Sequence, residues 1–310
     1  MESLQSTKSR LRAVKNVGQI TKAMEVVAAT KMRRAQETAL NSRAYAFEAM
    51  RLLQKLSKNS SISNILTIER AVKKTLLVIV ASDKGLTGAF NTQVFRTTDK
   101  IINSEEFSGE NLTVIAIGKK STAYALRKHL NLNASFFEVG DYIEPEEVEP
   151  ISKLIVEGFV NGEWDRVITV STHFQTALKQ ETLSRQILPV DFQKIRETIK
   201  ELVPEHGKYA DFKNGNSENH EEIEYIFEPT PESAINQLLP HLIKMQIYHL
   251  ILEANASEHS ARRVAMKTAS DNAEDLAKNL TIEYNKARQA TITRELIEIT
   301  STQNALENNR

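Results

Sequence analysis

The chain has 310 residues, of which 41% are hydrophobic and 26% charged, and its 40 basic and 40 acidic side chains cancel. These values are typical of a chain that buries a core, and the balanced charge argues against a general affinity for nucleic acid or acidic substrates. Cysteine is absent, which excludes disulfides, thiolate metal sites and cysteine nucleophiles.

No segment predicts a membrane span or a targeting signal. The longest clean apolar run, residues 76–81, is far shorter than the ~20 residues that cross a bilayer. Residues 1–15 lack the apolar region of a signal peptide and enter helical periodicity too soon for a transit peptide. We therefore expect a soluble, cytosolic protein that reaches a membrane only through partners.

Residues 1–57 predict one long shaft helix. Its apolar stripe comprises Leu4, Leu11, Val14, Val17, Met24 and Val27, and it continues into a seam of small residues, namely Ala28, Ala35, Ala39, Ser42, Ala46 and Ala49. Spacings of seven, four and three are those of a coiled-coil seam, which Leu, Ile or Val usually fill. At ~1.5 Å per residue, such a helix is about 80 Å long.

Residues 75–228 predict an α/β domain. Short runs rich in β-branched residues predict strands at 75–82, 111–118 and 165–174, and the stretches 91–104, 119–130 and 145–163 predict helices. Strands that alternate with helices indicate a mostly parallel sheet with helices on its faces. Residues 205–224 are polar and contain glycine, so they predict a surface excursion.

Residues 229–310 predict a second shaft helix. Its seam is again small, with Ala261, Ala265, Ala269 and Ala273 followed by Leu276, Leu280, Tyr284 and Ala287. Two small seams let helix backbones approach closely in a thin coiled coil. Alanine is also simply the best helix former. Its use at seam positions, where leucine would stabilise more, favours a shaft that must be slender because something surrounds it.

No catalytic, cofactor-binding or metal-binding residues stand out. The loop "SDKGLTGAFN" (82–91) follows a strand and contains Gly85 and Gly88, but it lacks the further glycine of a dinucleotide fingerprint, so a tight turn is favoured over phosphate binding. In "IGKKS" (117–121), Lys120 replaces the hydroxyl residue of a phosphate loop. The seven histidines show no metal-ligand spacing, and we expect surface or capping roles for them. The sequence therefore does not predict an enzyme.

Charge is concentrated in the first helix. Residues 1–60 carry a net charge of +8, whereas residues 228–310 carry −2. No aromatic residues interleave with "KMRRAQ" (31–36), as base stacking would require, so nucleic acid is the least favoured partner. An acidic protein surface is favoured, and a solvated helix face is the remaining alternative.

Several segments resemble the gamma subunit of bacterial F-type ATP synthases. They are "VKNVGQITKAMEVVAATKMRRAQ" (14–36), "SDKGLTGAFN" (82–91), "YIFEPTP" (225–231), "ASEHSARRVAMKTASDNA" (256–273) and "YNKARQATITRELIEI" (284–299). They cover about a quarter of the chain, in the family's order and at both ends. Val17 and Gly18 depart from the family, which more often shows Thr and Gln there.

The resemblance implies a non-catalytic rotor. In this family the two terminal helices form an antiparallel coiled coil inside a ring of alternating alpha and beta subunits. The α/β domain rests on the epsilon subunit and the membrane c-ring. Proton flow turns the c-ring, and the shaft turns with it. The resemblance also implies a peripheral position at the cytoplasmic face of the bacterial inner membrane, without a cofactor of its own.

The resemblance further implies residues that contact the alpha and beta ring. Lys22, Ala23 and Met24 match a segment that faces an acidic lever of beta, and the basic residues Lys31, Arg33 and Arg34 follow. The C-terminal positions that match a segment gripped by ring loops are Arg288, Gln289, Thr293 and Glu295. Residues 296–306 match a tip in an apolar bearing. Met24 could instead be a core residue, and Thr293 an ordinary exposed residue.

Two alternative functions remain open at the level of sequence. One is a static coiled-coil scaffold with an α/β head. The other is an α/β enzyme whose long helices only dimerise it. A scaffold would tolerate rigid attachment to its partners, whereas an enzyme would turn over a substrate alone.

Overall fold

A computed structural model describes residues 4–59, 64–104, 111–140, 143–176, 179–191 and 230–307; the predicted excursion at 205–224 lies outside these ranges. The helices are α1 (Leu4–Asn59), α2 (Phe90–Ile102), α3 (Lys119–Arg127), α4 (Glu149–Val160) and α5 (Pro231–Glu307). The strands are β1 (Thr75–Val80), β2 (Leu112–Ile117), β3 (Asn131–Phe136), β4 (Arg166–Phe174) and β5 (Gln180–Leu188). Within the described residues, no helix is both long enough and apolar enough to cross a membrane.

The five strands form one sheet in the order β3-β2-β1-β4-β5. Strands β3, β2, β1 and β4 are parallel, and β5 is antiparallel to β4. The predicted mostly parallel sheet is therefore confirmed. The two edge strands, β3 and β5, were not predicted, because "NLNASF" and "QETLSRQIL" mix polar with apolar residues and are only partly buried.

Helices cover both faces of the sheet, as the alternation of strands and helices predicts. One core cluster includes α4 and α5 side chains such as Ile155 and Ile247, and the other includes Val94 and Tyr124 from α2 and α3. The fully buried Trp164 belongs to the first cluster, where its Nε1 donates a hydrogen bond to the Ile155 carbonyl at 3.0 Å. As the single tryptophan of the chain, it reports on the packing of this core.

The chain divides into two compact units. Met1–Ala29 and Arg262–Arg310 form one, which we call the shaft unit, and Thr30–Ala261 form the other, which we call the domain unit. Helices α1 and α5 each contribute residues to both. The functional division into segments 1–57, 75–228 and 229–310 stays a proposal.

The seam of the shaft unit differs from the predicted stripe. On α1, Thr7, Thr21 and Ala28 are buried, and their spacings of 14 and seven residues fit a heptad repeat. Val17 and Val27 are 51% and 54% exposed, so their predicted seam positions are wrong. Val27 directly precedes Ala28 and therefore points about 100° away around the helix.

A similar correction applies to α5 in the shaft unit. Met266, Ala273 and Leu280 are buried at intervals of seven residues, whereas Leu276, predicted in the seam, is 46% exposed. In the domain unit, Ala35 is buried as predicted. The side chains of the predicted seam from residue 39 to residue 49 lie outside those that the structure describes.

Candidate functional site

The two helices of the shaft unit approach closely at Gly18. A Cβ atom built on Gly18 would lie 3.4 Å from Cβ of Ala273, at van der Waals contact. The Lys22 amine donates to Glu25 at 2.9 Å, and this hydrogen bond raises the pKa of Lys22, with a smaller electrostatic contribution from Asp271. Lys22 follows Gly18 on α1, whereas its neighbour Asp271 precedes Ala273 on α5, so the two helices are antiparallel.

An open groove of about 830 Å³ lies along this helix pair. Its charged lining residues are Lys15, Lys22, Lys278, Asp271 and Glu274. Two of these lysines are paired within their own helices, Lys22 with Glu25 and Lys278 with Glu274 at 3.0 Å. The groove therefore offers a mixed-charge surface and not a concentrated anion site.

The structure places two of the three predicted contact groups in the shaft unit. Lys22 and Ala23 are exposed and Met24 is partly buried, while the second group is exposed throughout and comprises Arg288, Gln289, Thr293 and Glu295. The third group belongs to the domain unit, where Lys31 is partly buried and Arg33 and Arg34 are exposed. Their contacts with a ring stay predictions.

The end of α5 carries an unpartnered apolar surface. Every residue from 288 to 302 is exposed, and Ile292, Leu296, Ile297 and Ile299 expose 47–63% of their surface. Because Gly18 lies against Ala273 in an antiparallel pair, the first residue of α1, Leu4, falls near Ala287. Beyond Ala287, α5 has no facing residue within the described part of α1, and its clustered apolar side chains mark an interaction surface.

The loop after β1 is closed by its own side chains. One carboxylate oxygen of Asp83 accepts the backbone N–H of Lys119 at 2.8 Å, and the other accepts that of Glu138 at 2.9 Å. Leu86 and Gly88 adopt positive φ angles of 63° and 56°, which fits the tight strand-to-helix turn that the sequence predicts. Asp83 thus joins the loops at the carboxyl ends of three parallel strands.

Replacing Asp83 with alanine is expected to lower the free energy of unfolding by about 1–3 kcal/mol, because two backbone N–H groups lose a charged acceptor. Urea denaturation followed by the fluorescence of Trp164 measures this difference. The control Asp83→Asn retains one acceptor oxygen and should cost less. Equal stability of wild type and Asp83→Ala would contradict the assigned role.

Three histidines are buried in the structure, contrary to the expectation of surface or capping roles. His173, His249 and His259 are 6%, 7% and 4% exposed, so the expectation of surface roles is wrong for them. His173 and His249 both lie beside the buried carboxylate of Glu253. Among the described residues, no group of His, Asp and Glu side chains has an arrangement that could hold a metal ion.

Comparison with known proteins identifies the family of this chain. The ATP synthase family model matches residues 3–306. ATP synthase gamma chains from Roseiflexus sp. (strain RS-1) and Geotalea daltonii are 35% and 36% identical to this chain, and the alignments cover 97% of the chain and 97% and 98% of the relatives. The chain belongs to the ATP synthase gamma-chain family.

Solved structures share the fold of this gamma chain. A chain of the Euglena gracilis mitochondrial ATP synthase matches with a TM-score of 0.64 at 18% identity, over 99% of this chain and 95% of that one. A central-stalk chain from Tetrahymena thermophila matches with a TM-score of 0.58 at 24% identity, over 81% and 99%. The gamma chain is a non-catalytic rotor subunit of the central stalk.

Proposed function

We propose that this gamma chain turns inside a ring of alternating alpha and beta subunits and transmits torque between a membrane c-ring and the catalytic beta subunits. The observation that carries this proposal is the shaft unit, where the α1 side of the seam includes the small residues Thr7, Gly18, Thr21 and Ala28 and the helices approach closely at Gly18 and Ala273. A slender helix pair that ends in an exposed apolar tip suits a shaft that a ring encloses.

The exposed residues of the shaft suit the proposed ring contacts. Lys22, Ala23 and Met24 would face an acidic lever of beta, and the ring loops would hold the segment that contains Arg288, Gln289, Thr293 and Glu295. The apolar tip would rest in an apolar bearing. The domain unit would contact the epsilon subunit and the c-ring, which places the chain peripherally at the cytoplasmic face of a bacterial inner membrane.

Purification of the native complex through a tag on this chain tests the assembly. We expect alpha, beta and epsilon subunits to co-elute, with alpha and beta in equal amounts and in excess over the gamma chain. A gamma chain that elutes alone, or in equal amount with beta, would contradict a single shaft within a ring.

Charge reversal tests the predicted electrostatic contact of the basic stretch. The double variant Arg33→Glu/Arg34→Glu should leave the complex assembled but lower its ATPase activity at low salt. Added salt should shrink the difference from wild type, because exposed charges are screened within about 8 Å at physiological ionic strength.

The matched control is Arg33→Lys/Arg34→Lys, which keeps both positive charges and should retain activity. If the charge-reversed complex is as active as wild type at low salt, Arg33 and Arg34 belong to a solvated helix face.

A further inference from the structure

A buried polar stripe runs along the segment of α5 that lies in the domain unit. His249, Glu253, Ser257 and Ser260 are at most 7% exposed. Their spacings of four, four and three residues place them on one face of the helix. Other buried residues of this segment, such as Ile247, belong to the apolar core.

Glu253 lies at the centre of this stripe and contacts both neighbouring strands. Its Oε2 is 2.9 Å from Nδ1 of His173 on β4 and 3.6 Å from a guanidinium nitrogen of Arg185 on β5. Its Oε1 is 3.3 Å from Nε2 of His249, one helical turn earlier. One carboxylate therefore links the helix to two strands.

The serines extend the same contact toward the end of the segment. Ser257 Oγ donates to the carbonyl of Thr172 on β4 at 3.4 Å, and Ser260 Oγ accepts a hydrogen bond from Gln180 on β5 at 3.1 Å. The whole stripe, and not Glu253 alone, thus faces β4 and β5.

Glu253 remains ionised although it is buried. Burial by itself raises the pKa of a carboxyl, but the hydrogen bond with His173 and the proximity of His249 outweigh it and hold the pKa of Glu253 below its usual range. A buried ion pair is often no more stabilising than apolar residues of the same size. The cluster is therefore better explained by what it positions than by the stability it adds.

Apolar packing holds one face of a helix against the core, but the hydrophobic effect is non-directional and discriminates poorly between small differences in the angle of the helix about its own axis. Hydrogen bonds and ion pairs depend on angle and distance, so they select one orientation of the helix. A helix that transmits torque needs directional contacts at a distance from its axis, because only such contacts oppose its rotation.

We propose that Glu253, with His173, His249 and Arg185, fixes the angle of α5 about its own axis against β4 and β5, so that torque passes between the shaft helix and the α/β domain without slip. This role rests on the rotor function of the gamma chain. Glu253 is accordingly a positioning residue, and the serines of the stripe support it.

The test uses rotation of the assembled ring complex under load. A cysteine replaces Lys120, which is exposed on α3 at the face of the sheet opposite α5, and holds a bead in a chain otherwise free of cysteine. Torque generated in the ring must then cross the α5–sheet contact to turn the bead. The triple variant Glu253→Met/His173→Leu/Arg185→Met removes the ion pairs together and leaves apolar side chains.

The triple variant should keep its ATPase activity without a bead and its melting temperature. Its torque with a large bead should fall about two-fold or more, as for other couplings between distant sites. The control Ile247→Val changes the apolar face of the same helix, and should lower the melting temperature while keeping full torque.

Full torque in a folded triple variant overturns the proposal. So does a loss of torque that follows the melting temperature in the same proportion as in Ile247→Val. If the triple variant does not fold, Glu253→Gln decides, with a smaller loss of torque expected and full torque overturning the proposal. A wild-type bead that does not turn would refute the rotor function itself.

Discussion

A disulfide between Glu295→Cys and a contacting residue of a beta subunit should suppress ATP turnover, and reduction should restore it. A shaft must turn relative to the ring for each catalytic site to act in succession, so a covalent link between them stops the cycle. Activity should fall in proportion to the fraction of complexes that are cross-linked. The chain contains no cysteine of its own, so no competing disulfide forms within it.

The control is a link within the shaft unit. The variant Gly18→Cys/Ala273→Cys suits it, because the two Cβ positions are 3.4 Å apart, close to the roughly 3.5–4.5 Å of natural disulfides. Both helices of a rotor turn together, so this link should leave turnover unchanged. Turnover that stops with the internal link closed would show that the two helices must move against each other.

Gly118→Ala should have the largest effect on stability among the substitutions considered. Gly118 has a φ of +98°, and a Cβ there would lie 2.0 Å from the Ala81 carbonyl oxygen. The backbone N–H of Gly118 also donates to the carbonyl of Phe136 at 2.8 Å, so the chain cannot shift without breaking the sheet edge. We expect the free energy of unfolding to fall by about 4 kcal/mol or more, a size that is typical of severe local steric conflicts.

Two other glycines separate the causes of this loss. Gly162 has a φ of +74° but nothing within 4 Å of an added Cβ, so Gly162→Ala should cost only the backbone strain of about 1–2 kcal/mol. Gly85 has open space and no positive φ, so Gly85→Ala should change stability by less than about 0.5 kcal/mol. Urea denaturation followed by the fluorescence of Trp164 measures all three, and any other order contradicts the assignment.

The interior of the sheet was predictable from sequence because its strands are buried on both faces. All six residues of β1 are buried, and such a strand gives a continuous apolar run. The edge strands β3 and β5 carry no such signal, because partial exposure admits polar residues. Their positions follow from pairing with β2 and β4, which is information about distant residues.

The shaft was predictable in length but not in its seam. Hydrophobicity assigned Val17 and Val27 to the seam, whereas Thr7 and Thr21 occupy it. Under the proposed ring contacts, an apolar residue of the shaft can serve either the seam or the outer surface. The sequence alone does not tell which of the two surfaces a given valine serves.

The polar stripe on α5 left only a faint signal in the sequence. Glu253 interrupts the apolar run "LILEANA" (250–256), and His249 precedes it by one helical turn. Its partner His173 is 80 residues away in the chain. No local pattern brings such residues together, so the cluster required the structure.

The most direct test of the rotor function is a cross-link on α1, away from the tip of α5. Activity that survives the link at Glu295 could reflect local unwinding or swivelling of the exposed end of α5. A disulfide between Arg33→Cys and a facing ring residue excludes this explanation, because unwinding of the end of α5 cannot free α1 from the ring. We expect multisite ATP turnover to stop when this link closes and to return on reduction. Full turnover with the link closed would show that the chain need not rotate, and would favour a static scaffold.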